Sequence, residues 1–195
     1  MHVIISAHLD TIFKDPMSDV KNGIQHGTCD NLSGILAVAQ LIKYENIHIE
    51  FTNDEESNMG GAKWISDHFS PEENFIIVVD VTDRSSKWKK VSFTVENYNK
   101  IEAKFIKSLL KEFSGRYILR EWGQESEAWL YKEKGYSCLE IDVPVSGGLH
   151  NLHNRARVSD ILTASEAIKK LVDGIEAKER EEIWKEITPH GIDIK

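Results

Sequence analysis

The 195-residue chain has two cysteines, four prolines, fewer basic than acidic side chains and no long apolar run. Each shortage excludes something. Cys29 and Cys138 are too few for a disulfide framework. No stretch approaches the roughly 20 apolar residues of a membrane span. The opening Met1–His8 is too short, and lacks the basic flank, for a secretory leader. Lys plus Arg number 24 against 32 Asp plus Glu, a net charge of −8. Such a chain is repelled by phosphate backbones and anionic lipid, so neither nucleic acid nor membrane is an expected partner. With 41% hydrophobic and 29% charged residues the composition is that of a globular domain, and a reduced cytoplasmic location is expected.

Short β-rich runs alternate with amphipathic helical stretches. Val3–Ala7, Ile47–Thr52, Phe75–Val79, Val91–Val95 and Ser137–Val143 read as strands, the last ending before Pro144. Helices are predicted over Gly34–Tyr44 with Ile35, Val38, Ala39 and Ile42 on one face, and over Ala62–Phe69. Others follow over Ile101–Phe113, Ala128–Glu133 and from Ser159-Asp160 to Ile175. Continuous apolar strands interleaved with helices predict an α/β fold: a three-layer, mixed, largely parallel sheet with helices on both faces. One catalytic domain is expected over residues 1–176, followed by a charged tail over 177–195.

Polar groups suited to metals gather after the predicted strands. They are His8-Leu9-Asp10, Asp30-Asn31, Asp54-Glu55-Glu56, Asp80-Val81-Thr82-Asp83, and the pair His150 and His153. The carboxyl ends of strands are where open α/β sheets collect ligands. Singly, each motif is ordinary surface chemistry. Together, carboxylates converging without Lys or Arg repel one another, and divalent cations resolve that repulsion. His8 and Asp10 share one side of an extended segment, which suits a ligating imidazole oriented by a carboxylate. Asp30 is the candidate bridge between two ions, while Glu55 and Glu56 can divide ligation from proton transfer.

These stretches resemble the co-catalytic zinc exopeptidases, above all the bacterial leucyl aminopeptidase and glutaminyl cyclase family. Tetrahedral aminopeptidases and the carboxypeptidase/deacylase family stand as cousins. The resemblance is carried by Ser6–Thr11, Gly27–Gly34, Asn53–Glu56 with Gly60-Gly61-Ala62, Val79–Thr82, and His153-Asn154 with Asp160. It implies that His8, Asp30 and Asp80 hold one ion and that Asp30, Glu56 and His153 hold the other. Glu55 is the implied general base, Asp10 orients His8, and Asp30–Asn31 is joined by a cis peptide. The implied cofactors are two divalent ions: zinc is expected, and cobalt or manganese suits the same donors.

His153 is preferred to His150 because the resemblance puts an Asp seven residues after the last histidine, and Asp160 stands there. His150 becomes a lining residue of the cleft. Asp80 is preferred to Asp83, and Cys29 is read as packing. Glu125 and Glu127 are candidates for receiving a substrate ammonium, and Trp122, Trp129 and Tyr136 for shaping a side-chain pocket. Only 22 residues separate His8 from Asp30, and 73 separate Asp80 from His153. Neither gap accommodates the inserted domains of the cousins, which favours a single-domain aminopeptidase with a shortened N-terminus.

The implied activity is release of N-terminal residues from short peptides or aminoacyl amides by a monomer or homodimer. Deacylation, carboxypeptidase action, glutaminyl cyclisation and a non-catalytic peptide-binding relic are the alternatives.

Overall fold

The structure is a computed structural model that describes residues 2–45, 47–97, 103–121 and 126–187, with side chains to Lys178. Its centre is built from the most apolar runs. Strand β1 (His2–His8) lies between β4 (His48–Thr52) and β5 (Asn74–Asp83), parallel to both, and β5 pairs in parallel with β8 (Ser137–Ser146). Val3, Ile4, Ile5, Ile76, Ile77 and Val79 are all buried, because these strands are covered on both faces.

Beyond β8 the sheet turns antiparallel. β9 (Arg155–Arg157) pairs with β8 and with β3 (Ile24–Gly27), and β3 with β2 (Ser18–Lys21). β6 (Phe93–Asn97) also runs antiparallel to β8 and carries β7 (Tyr117–Arg120) in parallel. The α/β three-layer reading holds, although antiparallel pairings make up more of the sheet than the sequence suggested.

Two apolar clusters separate the layers. Helices α1 (Leu32–Ala39), α3 (Ala103–Leu109) and α5 (Val158–Ile187) cover one face through Ala37, Val38, Ile106, Ile168 and Leu171. Helices α2 (Gly60–His68) and α4 (Glu127–Glu133) cover the other through Ala62, Ile65, Ala128 and Tyr131. Burying one such aliphatic side chain is worth about 1.5–3 kcal/mol, so each layer is held by many modest contributions.

Several boundaries differ from those predicted, for identifiable reasons. α1 stops at Ala39 and continues as turns, so Leu41 is buried while Ile42 is 63% exposed. β8 runs through Pro144 because that residue lies after the last β6 partner, at Asp142, and before the first β9 partner, at Val145. Its missing N–H therefore interrupts no antiparallel ladder. Strands β2, β3, β7 and β9 are too short to show a period. The β2–β3 hairpin nonetheless carried a signal in Asn22-Gly23, both at positive φ, the turn that two-residue hairpins prefer. The charged stretch from 177, expected as an extended or helical tail, is helical as far as Ile187 within α5; residues 188–195 lie outside those described.

The loop after β4 is folded tightly against its strand. Gly61 donates its N–H to Asn53 O at 2.8 Å, and a Cβ on Gly61 would lie 2.6 Å from Asn53 N and from Thr52 Cβ. Backbone cannot give way as a flexible side chain can. Gly61→Ala is expected to destabilise the domain by about 1–3 kcal/mol, measured by urea unfolding. An unchanged midpoint would contradict this packing.

Candidate metal centre

β1 ends at His8, which is 2% exposed. Its Nδ1 is 3.1 Å from the main-chain carbonyl of Asp10, and an N–H donated there leaves Nε2 facing inward. Nε2 lies 3.3 Å from Asp80 Oδ1 and 3.5 Å from Asp30 Oδ1. Asp80 stands inside β5 rather than past its end, since the pairing with β8 runs on to Asp83.

Asp30 sits at the entrance to α1 on a segment held from three sides. Asn31 caps the helix by accepting the Gly34 N–H, and its amide donates to Val79 O at 2.7 Å. Cys29 N–H donates to Asn154 Oδ1 at 3.0 Å, and Gly27 N–H to Asn154 O at 3.0 Å. The Asp30–Asn31 peptide is cis, as the resemblance implied. Cys29 is fully buried, and that burial raises its thiol pKa.

The main-chain carbonyl of Asp10 holds the His8 ring, while its carboxylate turns to the loop after β4. The carboxylate accepts the backbone N–H of Glu55 at 3.1 Å and of Glu56 at 3.2 Å, and lies 3.6 Å from His8 Nδ1. One side chain therefore fixes the loop that presents both glutamates.

Asp30, Glu55, Glu56, Asp80 and His150 line one pocket of about 360 Å³. Met59, Val81 and Leu149 also line it, and no lysine or arginine takes part among the described residues. His150 Nε2 is 3.1 Å from Glu56 Oε2 and 3.4 Å from Asp30 Oδ2. The two oxygens of Asp30 thus face different imidazoles. His153 is exposed on the same loop, its N–H bonded to Asn151 Oδ1, and its ring is not brought to the carboxylates. Sequence spacing favours His153 as a ligand, whereas this geometry seats His150.

The remaining candidates separate clearly. Asp83 is exposed, and Asp160 is paired with Arg84. Glu127 is 1% exposed, accepts a hydrogen bond from Ser6 Oγ at 2.9 Å and is not among the described residues that line the pocket. Trp129 is 42% exposed, and Tyr136 is buried with its hydroxyl donated to Phe69 O. Glu125 and Trp122 lie outside the described residues.

Electrostatics follow from the crowding. Burial raises the Glu55 pKa to about 8, with Asp80 adding to it. Burial and Asp30 push Glu56 up as well. At His8, burial opposes the ring's charge, but Asp80 and Asp30 outweigh it and lift the pKa to about 12. Behind Asp80 the same sheet face carries Asp142, raised to about 8 by burial and then by Glu96. Its Oδ2 accepts from Thr94 at 2.6 Å. The three side chains His8, Asp30 and Glu56 each offer a donor atom within 4.8 Å of the others, and Glu56 Oε1 is buried with no hydrogen-bond partner. Carboxylate and imidazole donors in excess negative charge, one of them orphaned, fit divalent cations.

Comparison with solved structures gives the same fold at low identity. The TET1 peptidase of Pyrococcus horikoshii, described as assembling into a tetrahedron or a large octahedral shell, is 20% identical with a TM-score of 0.66. It aligns over 83% of this chain and 53% of its own. An aminopeptidase from the archaeon Desulfurococcus kamchatkensis is 16% identical, TM-score 0.65, over 93% of this chain and 56% of that one. A TET aminopeptidase from a marine sediment archaeon, Thaumarchaeota archaeon, is 16% identical, TM-score 0.65, over 83% and 55%. This chain therefore spans about half the length of these structures. Comparison with curated proteins gave no match. The sequence of residues 4–179 matches the family described as Peptidase family M20/M25/M40, and the chain belongs to that family.

Proposed function

We propose that this domain is a metal-dependent hydrolase that acts as an aminopeptidase on short peptides or aminoacyl amides. The observation that carries the reading is the convergence of Asp30, Glu55, Glu56 and Asp80 with imidazole nitrogens on one pocket, with no lysine or arginine among its described lining residues. The family membership and the aminopeptidase titles among the structural neighbours support it.

His8, Asp30 and Asp80 would hold one divalent ion. Asp30, Glu56 and one loop histidine would hold the other, with zinc suiting this mixture of nitrogen and oxygen donors. When bound, such ions polarise the scissile carbonyl and lower the pKa of a water. The chain's own part is positional and protonic. Glu55, its backbone fixed by Asp10, takes a proton from the attacking water and returns it to the leaving nitrogen. The carboxylates that dominate the described lining, with no lysine or arginine among the described residues, favour substrates read at their amino end over those read at a carboxylate. Every donor named comes from one chain, so a monomer or a homodimer could act.

Glu55→Gln keeps the shape and removes the base. It is expected to retain bound zinc while kcat on a leucyl amide falls about 10²–10⁴-fold. Wild-type turnover in the variant would contradict the role of Glu55.

His150→Ala and His153→Ala test the remaining ligand. One of the two is expected to lose one equivalent of zinc in calorimetric titration while the other keeps both. Full retention in both variants would remove the loop histidines from the site.

For Glu55 and Asp142 the folded-state pKa lies above the unfolded one. The folded form therefore binds the extra proton, and stability falls as pH rises from the unfolded value towards about 8. In chelator, the melting temperature should drop over that interval, and added zinc should raise it more at about pH 8 than at about pH 6. A flat profile in chelator would contradict the buried like-charge cluster.

A further inference from the structure

Glu127 is a buried acid at the start of α4 that the pocket lining does not use. Its place is set by the strands beneath that helix. Oε2 accepts the Ser6 hydroxyl at 2.9 Å, and Ser6 Oγ is 3.1 Å from the Tyr131 hydroxyl. Ser6 and His8 stand two residues apart on β1, so they share a face of the sheet at a spacing of about 7 Å. Thr52, the β4 partner of His8, is also close enough to Glu127 to favour its charged form. The carboxylate therefore sits one two-residue step behind the imidazole that ends β1.

Hydrogen bonding does not call for a charge at this place. The cap of α4 is Ser126, whose hydroxyl accepts the Ala128 N–H at 3.2 Å. Among the described residues neither Glu127 Oε1 nor Thr52 Oγ1 has a hydrogen-bond partner of normal geometry. A glutamine of the same shape would accept from Ser6 through its oxygen and offer an N–H to Thr52 through its nitrogen. The carboxylate instead leaves one oxygen buried and unpaired, which is costly. What it has and glutamine lacks is negative charge.

That charge acts on the pocket. His8 favours the ionised form of Glu127 and Asp80 opposes it, while Glu127 in turn adds to the repulsion felt by Glu55. In the metal-free chain it makes the crowding of acids worse. Toward divalent cations in the same pocket it is attractive, and burial weakens the screening of that attraction.

We propose that Glu127 is an outer carboxylate of the metal centre, whose buried charge tightens the hold of His8, Asp30 and Asp80 on a divalent ion while its own oxygen stays on Ser6. The inference rests on the metal-centre reading above and adds to it a residue that lies outside the ligand set. Removing the charge then acts with opposite sign in the two states: it weakens metal binding and relieves the metal-free fold.

The test compares full-length wild type, Glu127→Gln and Glu127→Asp, with zinc affinity read by competition against a chromophoric chelator. Glu127→Gln keeps the shape and removes the charge, and should weaken zinc binding about 10–100-fold. Glu127→Asp keeps the charge on a shorter side chain, and should bind zinc more tightly than Glu127→Gln. With all metal chelated, the melting temperature of Glu127→Gln should equal or exceed that of the wild type. A carboxylate that serves the fold alone gives the reverse pattern. Zinc affinity unchanged in Glu127→Gln, or no weaker than in Glu127→Asp, overturns the inference and leaves the metal centre standing. So does a Glu127→Gln chain that melts well below the wild type in chelator or fails to fold. A wild type that binds no zinc overturns the metal-centre reading and the role of Glu127 with it.

Discussion

The constraint on which the rest of this molecule depends is the crowding of negative charge on one side of the sheet. Four carboxylates line a single pocket, and Asp142, Glu140 and Glu96 lie buried on the strands beside it. Proteins seldom bury acids without a partner. Arg120 pairs with Glu96, and Ser126 and Thr94 donate to Glu140 and Asp142. For the pocket carboxylates the balance falls to protons, a charged His8 or divalent cations, and the same crowding raises the pKa values of Glu55 and His8. The fold tolerates this arrangement because its stability comes from elsewhere, in the apolar layers on the two faces of the sheet.

Holding the acids in place is the work of main-chain hydrogen bonds to a few polar side chains. Asp10 accepts the N–H groups of Glu55 and Glu56, Asn31 ties the Asp30 segment to β5, and Asn154 ties it to the loop bearing His150 and His153. Each bond joins elements distant in sequence. The strands set the depth of His8 and Asp80, and these three side chains set the aim of the loops between them. Such tethers make a site rigid before any ligand arrives.

Much of this was legible in the sequence. Apolar runs such as Val3–Ile5 and Phe75–Val79 predicted buried central strands, and the acids that follow them predicted where a site would gather. Periodicity failed where tertiary packing overrode it, as at Ile42, which the end of α1 leaves exposed. It also failed for β7 and β9, whose few residues cannot display a repeat. The burial of Glu127 could not be read from a stretch rich in acids, because the partner that draws it inward, Ser6, is 121 residues away. The choice between His150 and His153 turns on the path of a glycine-containing loop. Local spacing and the folded geometry answer that question differently.

The central claim is that two divalent ions, bridged by Asp30, make this acidic pocket stable and competent. The direct measurement is an anomalous-difference map from a crystal of the chain grown with zinc, collected at the zinc edge. The account predicts two peaks about 3.5–4 Å apart, one on each side of the Asp30 carboxylate. One peak should touch His8 and Asp80, and the other Glu56 with a loop histidine. A single peak, or density away from Asp30, would contradict it.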